Sequence, residues 1–327
     1  MSAVSVETVV AGVAERHPAV HVVAAALVDA DGRVLLAQRP EGKHLAGYWE
    51  FPGGKVESGE TPLQALQREV LEEIGVRVVS AEPLIRVPWR YATKRILLDV
   101  YRVRDFDGVP HSCEGQPLKW VPATALDPNE MPAADHPVIH ALALPPHYLI
   151  TPQPDADEVP FLARLDAALE RGIRLVQLRA KDLDETTLRR LVPACLARVR
   201  AAGGQLLINS RIDLVEEFDL DGVHVTAAQL AQLDARPVAA RRWFAASCHS
   251  AAELERAQAL GVDFVVLGSV ASTASHPQQT PLGWGAFAAI CDQAIVPVYA
   301  LGGLRQDDLA TALDGGAQGI AGISAFW

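Results

Sequence analysis

The chain has 327 residues, of which half are hydrophobic and 21% are charged, and its formal net charge is −11. At about 150 residues per domain this length predicts two domains, and the apolar content excludes a wholly disordered chain. The negative charge argues against a protein that binds long nucleic acid, and no apolar run of about 18 residues suggests a membrane span. The first eighteen residues have the spacing of a short amphipathic helix and not of a secretion signal, so we expect a soluble, cytoplasmic protein.

The N-terminal half predicts a mixed α/β unit. A strand is expected from His21, followed by an Asp-Gly turn at residues 31–32 and a second strand at residues 33–40. A loop rich in Gly and Pro then leads to a helix that begins near Pro62. Further strands are predicted at residues 84–87, 95–102 and 119–121, and the linker between the halves is predicted at residues 145–146.

From Tyr148 onward, short apolar runs alternate with amphipathic helical stretches. Eight such runs are present: YLIT, LVQLRA, QLLIN, GVHV, FAASC, FVVLG, VPVYALG and GIAGIS. Parallel strands that are buried on both faces have this appearance. Eight βα units in about 180 residues predict a (β/α)8 TIM barrel, with an open doubly wound sheet as the alternative. Because the chain stops at Trp327, we expect this barrel to lack its last helix.

The four cysteines are far apart in the chain and form no CxxC pair; they are Cys113, Cys195, Cys248 and Cys291. This spacing suggests neither a zinc site nor a disulfide framework. We therefore expect buried free thiols.

The clearest chemical signal is an acidic pattern in the predicted helix, within the stretch GKVESGETPLQALQREVLEEIGV. Glu69, Glu72 and Glu73 are spaced i, i+3 and i+4, so they project from one helix face. Carboxylates crowded there repel one another unless a cation lies between them, and Mg²⁺ typically bridges protein carboxylates to phosphates. Arg68 can hold the cluster by charge-assisted pairing. The alternative is a solvated acidic surface of a helix.

This stretch, residues 54–76, fits the Nudix box at every specified position. Over residues 20–144 the chain resembles the MutT branch of the Nudix hydrolases, the 8-oxo-dGTP diphosphatases, through EFPGGKVESGETP, EGQPLKW and MPAADHPVI. The resemblance implies a Nudix α/β/α sandwich over residues 1–145. It also implies hydrolysis of 8-oxo-dGTP to 8-oxo-dGMP and diphosphate, a nucleotide-pool reaction of DNA repair, with Mg²⁺ or alternatively Mn²⁺.

The same resemblance implies roles for single residues. The metal-binding and catalytic set becomes Glu69, Glu72, Glu73 and Glu114, with Gly53 as a further metal ligand, and the nucleotide site is lined by Arg39, His44, Phe51 and Asp135. Where close MutT relatives have Asn, this chain has Asp135, and an ionised Asp only accepts hydrogen bonds. A purine contact would then need a protonated Asp or another bonding pattern. Each lining residue also has a plain alternative as a surface, loop or core side chain.

Residues 148–327 resemble the thiamine-phosphate synthase and TenI family through QLRAK, INSRIDL, DGVHV, SCHS, ALGG and GISAF. Barrel chemistry lies at the C-terminal ends of the strands. The residues expected to bind a phosphorylated small molecule there are Gln177, Arg179, Lys181, Asn209, Thr273, Gly303, Ile323 and Ser324.

Two positions argue against synthase activity. Where synthases of this family hold Mg²⁺ with aspartates, this chain has Ser210 and Gln229, and a tautomerase histidine is replaced by Ser269. Mg²⁺ needs the missing carboxylates, so we expect no synthase reaction. His249 and His276 stay as acid–base candidates. The alternatives are a barrel that acts as a ligand-binding module and a Nudix half that hydrolyses thiamine-type diphosphates.

Overall fold

The structure is a computed structural model, and it describes residues 19–42, 45–155, 157–273 and 280–327. The predicted N-terminal helix, His44 and His276 lie outside these residues. Within the described ranges, no helix has both the length and the apolar composition needed to cross a membrane.

The described residues of the N-terminal half form seven strands and two α-helices. Its elements are β1 (Val20–Leu27), β2 (Arg33–Gln38), β3 (Trp49–Glu50), β4 (Gly53–Lys55), α1 (Pro62–Ile74), β5 (Arg77–Arg90), β6 (Arg95–Asp107), β7 (Leu118–Pro122) and α2 (His136–Ala143). Four strands form a mixed sheet in the order β4-β1-β6-β5, in which β1 and β6 are parallel. The others form the antiparallel sheet β3-β2-β7.

Two of the predictions for this half are wrong in detail. The predicted Gly-Pro loop after β2 contains the short strands β3 and β4. Strand β5 has 14 residues, although only residues 84–87 were expected. Its polar residues and its prolines, Pro83 and Pro88, hide the strand pattern. They are tolerated because β5 is an edge strand, which pairs only with β6.

Strand β1 separates two apolar layers. Val23, Ala25 and Leu27 pack with the buried face of α1, whereas Ala24 and Ala26 belong to the cluster that contains α2 and the second sheet. A strand between two helical layers is buried on both faces, which explains its almost continuous apolar sequence. The arrangement is the α/β/α sandwich that was expected.

The C-terminal half is a closed barrel of eight parallel strands. They are β8 (His147–Ile150), β9 (Leu175–Leu178), β10 (Gln205–Asn209), β11 (Gly222–Val225), β12 (Trp243–Cys248), β13 (Phe264–Gly268), β14 (Val298–Leu301) and β15 (Gly319–Gly322). The last strand pairs with the first, so the (β/α)8 barrel is confirmed and the open-sheet alternative is wrong.

Helices connect the barrel strands on the outside. They are α3 (Glu158–Glu170), α4 (Glu185–Ala201), α5 (Asp213–Glu217), α6 (Ala227–Gln232), α7 (Ala251–Ala259), α8 (Gly283–Cys291) and α9 (Leu309–Asp314). Large aromatic side chains fill the interior, including Tyr148, Phe264 and Tyr299, whose rings lie 5.5–5.6 Å apart. The barrel is therefore a packed core with its open space at one end.

All four cysteines are free, as expected, but they are not all buried. Cys195, Cys248 and Cys291 lie in the barrel core. Cys113 is exposed, because it lies in the loop before β7 and not in an element of the core.

The connection between the halves is packed against the barrel. The carbonyl of Pro146 accepts a hydrogen bond from the N–H of Ile320 at 2.9 Å, and the hydroxyl of Tyr299 donates to the carbonyl of Pro145. A Cβ at Gly319 would lie 2.0 Å from the oxygen of Pro146, so this close approach requires glycine. The predicted linker residues are thus part of the N-terminal end of the barrel.

Candidate active sites of the two halves

Helix α1 is fixed at both ends by its sequence. Thr61 and Gln64 form a reciprocal capping box, and Pro62 occupies the first turn. Gly75 ends the helix in the left-handed conformation, with φ of 67°. The buried face contains Ala65, Leu66, Val70 and Ile74. With this face buried, Glu69 and Glu73 are half-buried and Glu72 is exposed.

Glu73 is surrounded by the charges of three other glutamates, Glu50, Glu69 and Glu114, which together with it form the acidic cluster. One of its carboxylate oxygens accepts a hydrogen bond from the backbone N–H of Gly53 at 2.9 Å. The pKa of Glu73 is raised to about 7. Burial is the largest cause, the Gly53 hydrogen bond lowers the pKa, and the charges of nearby glutamates also raise it, namely Glu50, Glu114 and Glu69. Several carboxylates are therefore close enough to repel one another around Glu73.

The second glycine of the pair, Gly54, makes room for Glu69. A Cβ at Gly54 would lie 2.2 Å from the carboxyl carbon of Glu69, much closer than any normal contact. The side chain of Glu69 thus lies directly against the β4 backbone. A glycine at this position is a condition for the observed placement of that carboxylate.

Arg68 neutralises part of the cluster, as expected from its position. Its guanidinium donates to Glu60 at 2.7 Å, to Glu69 at 2.9 Å and to Glu72 at 3.3 Å. It also donates to the carbonyl of Lys55 at 3.1 Å, which ties α1 to β4. Since one cation already contacts these carboxylates, their geometry suits a positively charged partner.

As the side chains are placed, no three His, Cys, Asp or Glu residues of the described ranges surround a common point as metal ligands. The donor set nevertheless fits a hard divalent ion, because it offers carboxylate oxygens of high local negative charge. Arg68 contacts one oxygen of Glu69 and one of Glu72, so the other oxygen of each carboxylate stays available for an ion.

Glu114 reaches the cluster through a loop that is fastened to α1. The amide nitrogen of the buried Gln116 donates to the carbonyl of Glu73 at 3.0 Å, and its oxygen accepts from the N–H of Glu114 at 3.1 Å. The N–H of Cys113 also donates to the carbonyl of Glu73, at 3.0 Å. The sequence analysis missed Gln116, although its place in the EGQP stretch was a signal.

The predicted base-reading residue, Asp135, lies in a second part of the same site. It is 6% exposed and directly precedes α2. Burial raises its pKa well above 3.8; the charge of Glu50 raises it further, and the charge of Arg39 lowers it. Glu50, which pairs with Arg39, was also missed by the sequence analysis. It affects the pKa values of both Glu73 and Asp135, so it lies close enough to act electrostatically on both carboxyl groups.

The other two predicted lining residues differ in outcome. Phe51 is 3% exposed and belongs to the apolar cluster that also contains Val138 of α2. It is a core side chain in this structure, which was the alternative considered for it. His44 lies outside the described residues.

A cavity of about 590 Å³ lies at the C-terminal ends of the barrel strands. All eight predicted phosphate-binding residues line it: Gln177, Arg179, Lys181, Asn209, Thr273, Gly303, Ile323 and Ser324. Arg179 and Lys181 supply cations, and no carboxylate is among the described residues that line the cavity. His249 also lines it and lies 3.1 Å from Glu253. The cavity therefore favours an anionic ligand.

The loop that carries the two cations is held by the end of the first barrel strand. The buried hydroxyl of Thr151 accepts from the N–H of Arg179 at 3.0 Å. The side-chain oxygen of Gln153 accepts from the N–H of Lys181 at 2.8 Å. Neighbouring parallel strands end at the same face of the barrel, which explains this contact between distant residues.

A buried hydrogen-bonded chain lies beneath the cavity. The amide nitrogen of Gln177 donates to the hydroxyl of Tyr148 at 3.1 Å, and that hydroxyl lies 3.1 Å from Nδ1 of His224. Nε2 of His224 lies 2.8 Å from the hydroxyl of Ser247, which lines the cavity. Burial lowers the pKa of His224 to about 3, so the ring is neutral. Tyr148 then donates to Nδ1 and Nε2 donates to Ser247, which leaves the Ser247 hydroxyl free to donate to a ligand.

The two positions that lack the expected aspartates are neighbours in space. The amide nitrogen of Gln229 donates to the carbonyl of Ser210 at 3.0 Å. Gln229 also completes the capping box of α6 with Thr226. The Gln229 side chain and the Ser210 backbone are therefore in direct contact, and neither residue carries a charged side chain.

Comparison with known proteins identifies a family for each half of the chain. The family model of the NUDIX domain matches residues 23–141, and the family model of thiamine monophosphate synthase matches residues 147–326, which is more than half of the chain. The chain joins a Nudix-type diphosphatase to a member of the thiamine monophosphate synthase family.

Three relatives illustrate the similarity. The Nudix half is 44% identical over 119 residues to the 8-oxo-dGTP diphosphatase of Haemophilus influenzae, which covers 36% of this chain and 88% of the relative. It is 41% identical over 120 residues to the CTP pyrophosphohydrolase of Escherichia coli, with coverage of 36% and 88%. The synthase-family half is 32% identical over 180 residues to the thiamine-phosphate synthase of a Roseiflexus species, with coverage of 54% and 76%.

Proposed function

We propose that residues 1–145 form a Mg²⁺-dependent Nudix hydrolase of oxidised purine nucleoside triphosphates, which converts 8-oxo-dGTP to 8-oxo-dGMP and diphosphate. The observation that carries this proposal is the pairing of two features at one site. One is the acidic cluster around Glu73, and the other is the buried, protonatable carboxyl of Asp135 at the base pocket. Glu50 faces both. The similarity to the H. influenzae diphosphatase supports the same substrate.

The chain's residues divide the work by position. Glu69, Glu72, Glu73 and Glu114, with Gly53, would hold the divalent ion, which supplies charge neutralisation at the phosphates and lowers the pKa of a bound water. Without an ion the pKa of Glu73 is raised to about 7, and a bound divalent ion would lower it and favour the ionised carboxylate. Arg39 offers a cation for the phosphates, and Gln116 fixes the Glu114 loop against α1. Asp135 reads the base.

A nucleotide comparison tests the base-reading role of Asp135. We expect wild-type kcat/KM for 8-oxo-dGTP to exceed that for dGTP, and Asp135→Ala to reduce this ratio by at least about tenfold, because a polar pocket discriminates through hydrogen bonds that the wrong base leaves unmade. Asp135→Asn keeps both a donor and an acceptor, so it should preserve the ratio. Equal wild-type rates on the two nucleotides would contradict the proposal. The screen should include CTP and thiamine diphosphate, since preferential hydrolysis of either would assign another substrate.

The raised pKa of Asp135 also predicts how the stability of the fold depends on pH. In the unfolded chain the carboxyl loses its proton near its ordinary pKa of 3.8, whereas the folded chain keeps it to higher pH. The folded state therefore binds more protons, and this group makes the free energy of unfolding fall as pH rises from about 4 through the folded pKa. Asp135→Asn should weaken that fall and raise Tm at pH 8. Thermal unfolding at pH 5 and pH 8 without divalent ions measures both, and identical pH dependence in the two proteins would contradict the prediction.

For residues 148–327 we propose a binding module for a phosphorylated small molecule that has lost the synthase reaction. Arg179 and Lys181 give the cavity positive charge, and Gly303, whose Cβ would lie 2.4 Å from the carbonyl oxygen of Ser272, brings a loop close against residues 271–272 at the cavity wall. Ser210 and Gln229 do not provide the carboxylates that Mg²⁺ would need. Ligand titration together with a synthase assay tests this proposal.

A further inference from the structure

Helix α2 lies between the base pocket and the N-terminal end of the barrel. Asp135 directly precedes its first residue, and Leu144, which follows its last residue, belongs to the apolar cluster of the barrel interior. Eight residues span only about 12 Å. A helix this short is not stable alone, so its position depends on what packs against it.

Both halves of the protein hold this helix. On the Nudix side, Val138 and Ala141 are fully buried in the core. On the barrel side, the amide nitrogen of Gln318 donates to the carbonyls of Ala141 at 3.1 Å and of Leu144 at 2.9 Å. Gln318 therefore caps carbonyls at the C-terminal end of α2, which have no partner within the helix.

The side-chain amide nitrogen of Gln318 directs both of its hydrogens at carbonyls of α2 and the residue after it. The residue directly precedes β15 and is 8% exposed. Its side-chain oxygen is buried and has no hydrogen-bond partner among the described residues. Leaving a buried acceptor unmade is unfavourable. The side chain nevertheless keeps this orientation, in which both hydrogens of its amide nitrogen are donated to the end of α2.

A second barrel contact fixes the rotation of the helix. The ring of His140, in the last turn of α2, packs edge-on against Trp243 with 5.6 Å between centroids. Its Nε2 lies 3.7 Å from the carboxylate of Asp263. Asp263 is held in turn by Arg236 at 2.7 Å and 3.0 Å and by the N–H of Phe244 at 2.7 Å. The barrel thus offers α2 a rigid support.

The carboxyl group of Asp135 depends on this support. Its backbone N–H donates to the carbonyl of Pro132 at 2.9 Å, and its side chain makes no capping hydrogen bond. The charges of Glu50 and Arg39 act on the carboxyl group, but no side-chain hydrogen bond among the described residues fixes it, so its position follows that of the backbone before α2. A displacement of α2 would move Asp135 with it.

We infer that Gln318 is a positioning residue for the nucleotide site, which acts through α2 to hold Asp135 where it reads the base. The barrel is then a structural part of base recognition by the Nudix half. This inference rests on the proposed function, because it assumes that Asp135 discriminates between bases.

The test uses the full-length chain with Gln318→Met, which keeps the side-chain length but removes both donors. The matched control is Asp292→Asn, which alters the 3.6 Å ion pair with Arg86 between the same two halves, a contact that involves no residue of α2. Gln318→Met should lower the ratio of kcat/KM for 8-oxo-dGTP over dGTP about three- to tenfold, through KM and not kcat. Asp292→Asn should leave the ratio unchanged. Gln318→Asn, which is too short to reach both carbonyls, should repeat the effect and serves if the Met variant does not fold.

A double mutant distinguishes positioning from general loosening. In an Asp135→Ala background, Gln318→Met should produce no further loss of the ratio, because the residue through which it acts is gone. Losses that add in the double mutant would overturn the inference. So would an unchanged ratio in both Gln318 variants.

A measurement without nucleotide separates this inference from the proposed function. Amide hydrogen exchange over residues 136–143 should be faster in Gln318→Met than in wild type and in Asp292→Asn. Unchanged exchange would overturn the support of α2 by the barrel, whatever the substrate is. Faster exchange in a protein that hydrolyses both nucleotides equally would overturn the base-reading role of Asp135 and leave the mechanical contact standing.

Discussion

Replacing Glu69, Glu72 or Glu73 by Gln should lower nucleotide hydrolysis by at least about 100-fold. Gln has the shape of Glu but not its charge, so each change removes attraction for the divalent ion and leaves packing intact. The loss should fall mainly on kcat, and hydrolysis by the wild type should disappear with a chelator and return with added Mg²⁺ or Mn²⁺. Steady-state kinetics at saturating metal measure the effect.

Glu57→Gln is the matched control, since Glu57 is an exposed carboxylate of the loop between β4 and α1, and its backbone N–H, not its side chain, bonds to Glu60. Its activity should stay near that of the wild type. Thermal unfolding without divalent ions tests whether the Glu73→Gln variant is still folded. Because the pKa of Glu73 is raised to about 7, its ionisation disfavours the folded state above its ordinary pKa of 4.5, and Glu73→Gln should unfold at an equal or higher Tm at pH 8. Near-normal turnover in the Glu72 and Glu73 variants would refute the magnesium-helix hypothesis.

The barrel should bind a phosphate-bearing small molecule and yet form no thiamine phosphate. Binding is expected because Arg179 and Lys181 face the cavity, and catalysis is not expected because Ser210 and Gln229 lack the charge to hold Mg²⁺. Isothermal titration with thiazole phosphate, the pyrimidine diphosphate and thiamine phosphate measures binding. An assay with the first two and Mg²⁺ measures synthesis.

Arg179→Ala and Lys181→Ala should each weaken phosphate-ligand binding by about tenfold or more, as expected for loss of a charge-assisted hydrogen bond. Arg190→Ala is the control, because Arg190 is exposed on the outside of the barrel and pairs with Glu158. The double variant Ser210→Asp with Gln229→Asp tests whether the lack of carboxylates at these two positions explains the absence of synthesis. Formation of thiamine phosphate by this variant would show that it does. Robust thiamine phosphate formation by the wild type would refute the carboxylate argument. Equal binding in wild type, Arg179→Ala and Lys181→Ala would refute the phosphate site.

Elements whose signal is local could be predicted from the amino-acid sequence alone. The eight apolar runs predicted the barrel strands, because strands buried on both faces need a nearly continuous apolar sequence. Helical periodicity placed Glu69, Glu72 and Glu73 together, and Thr61, Pro62 and Gly75 fix the ends of that helix. The residues predicted to bind phosphate line one cavity, because the ends of parallel barrel strands meet at one face.

Interactions between residues that are distant in the chain could be identified only from the three-dimensional fold. Glu50 and Gln116 become part of the Nudix site through contacts across the fold, and nothing in their local sequence fixes those distances. The length of β5 was hidden because an edge strand tolerates polar residues and proline. The role of α2 also depends on Gln318, which lies 174 residues beyond the Leu144 carbonyl that it binds. Such contacts arise from the packing of the two halves, where position in space and not position in the chain sets the interaction.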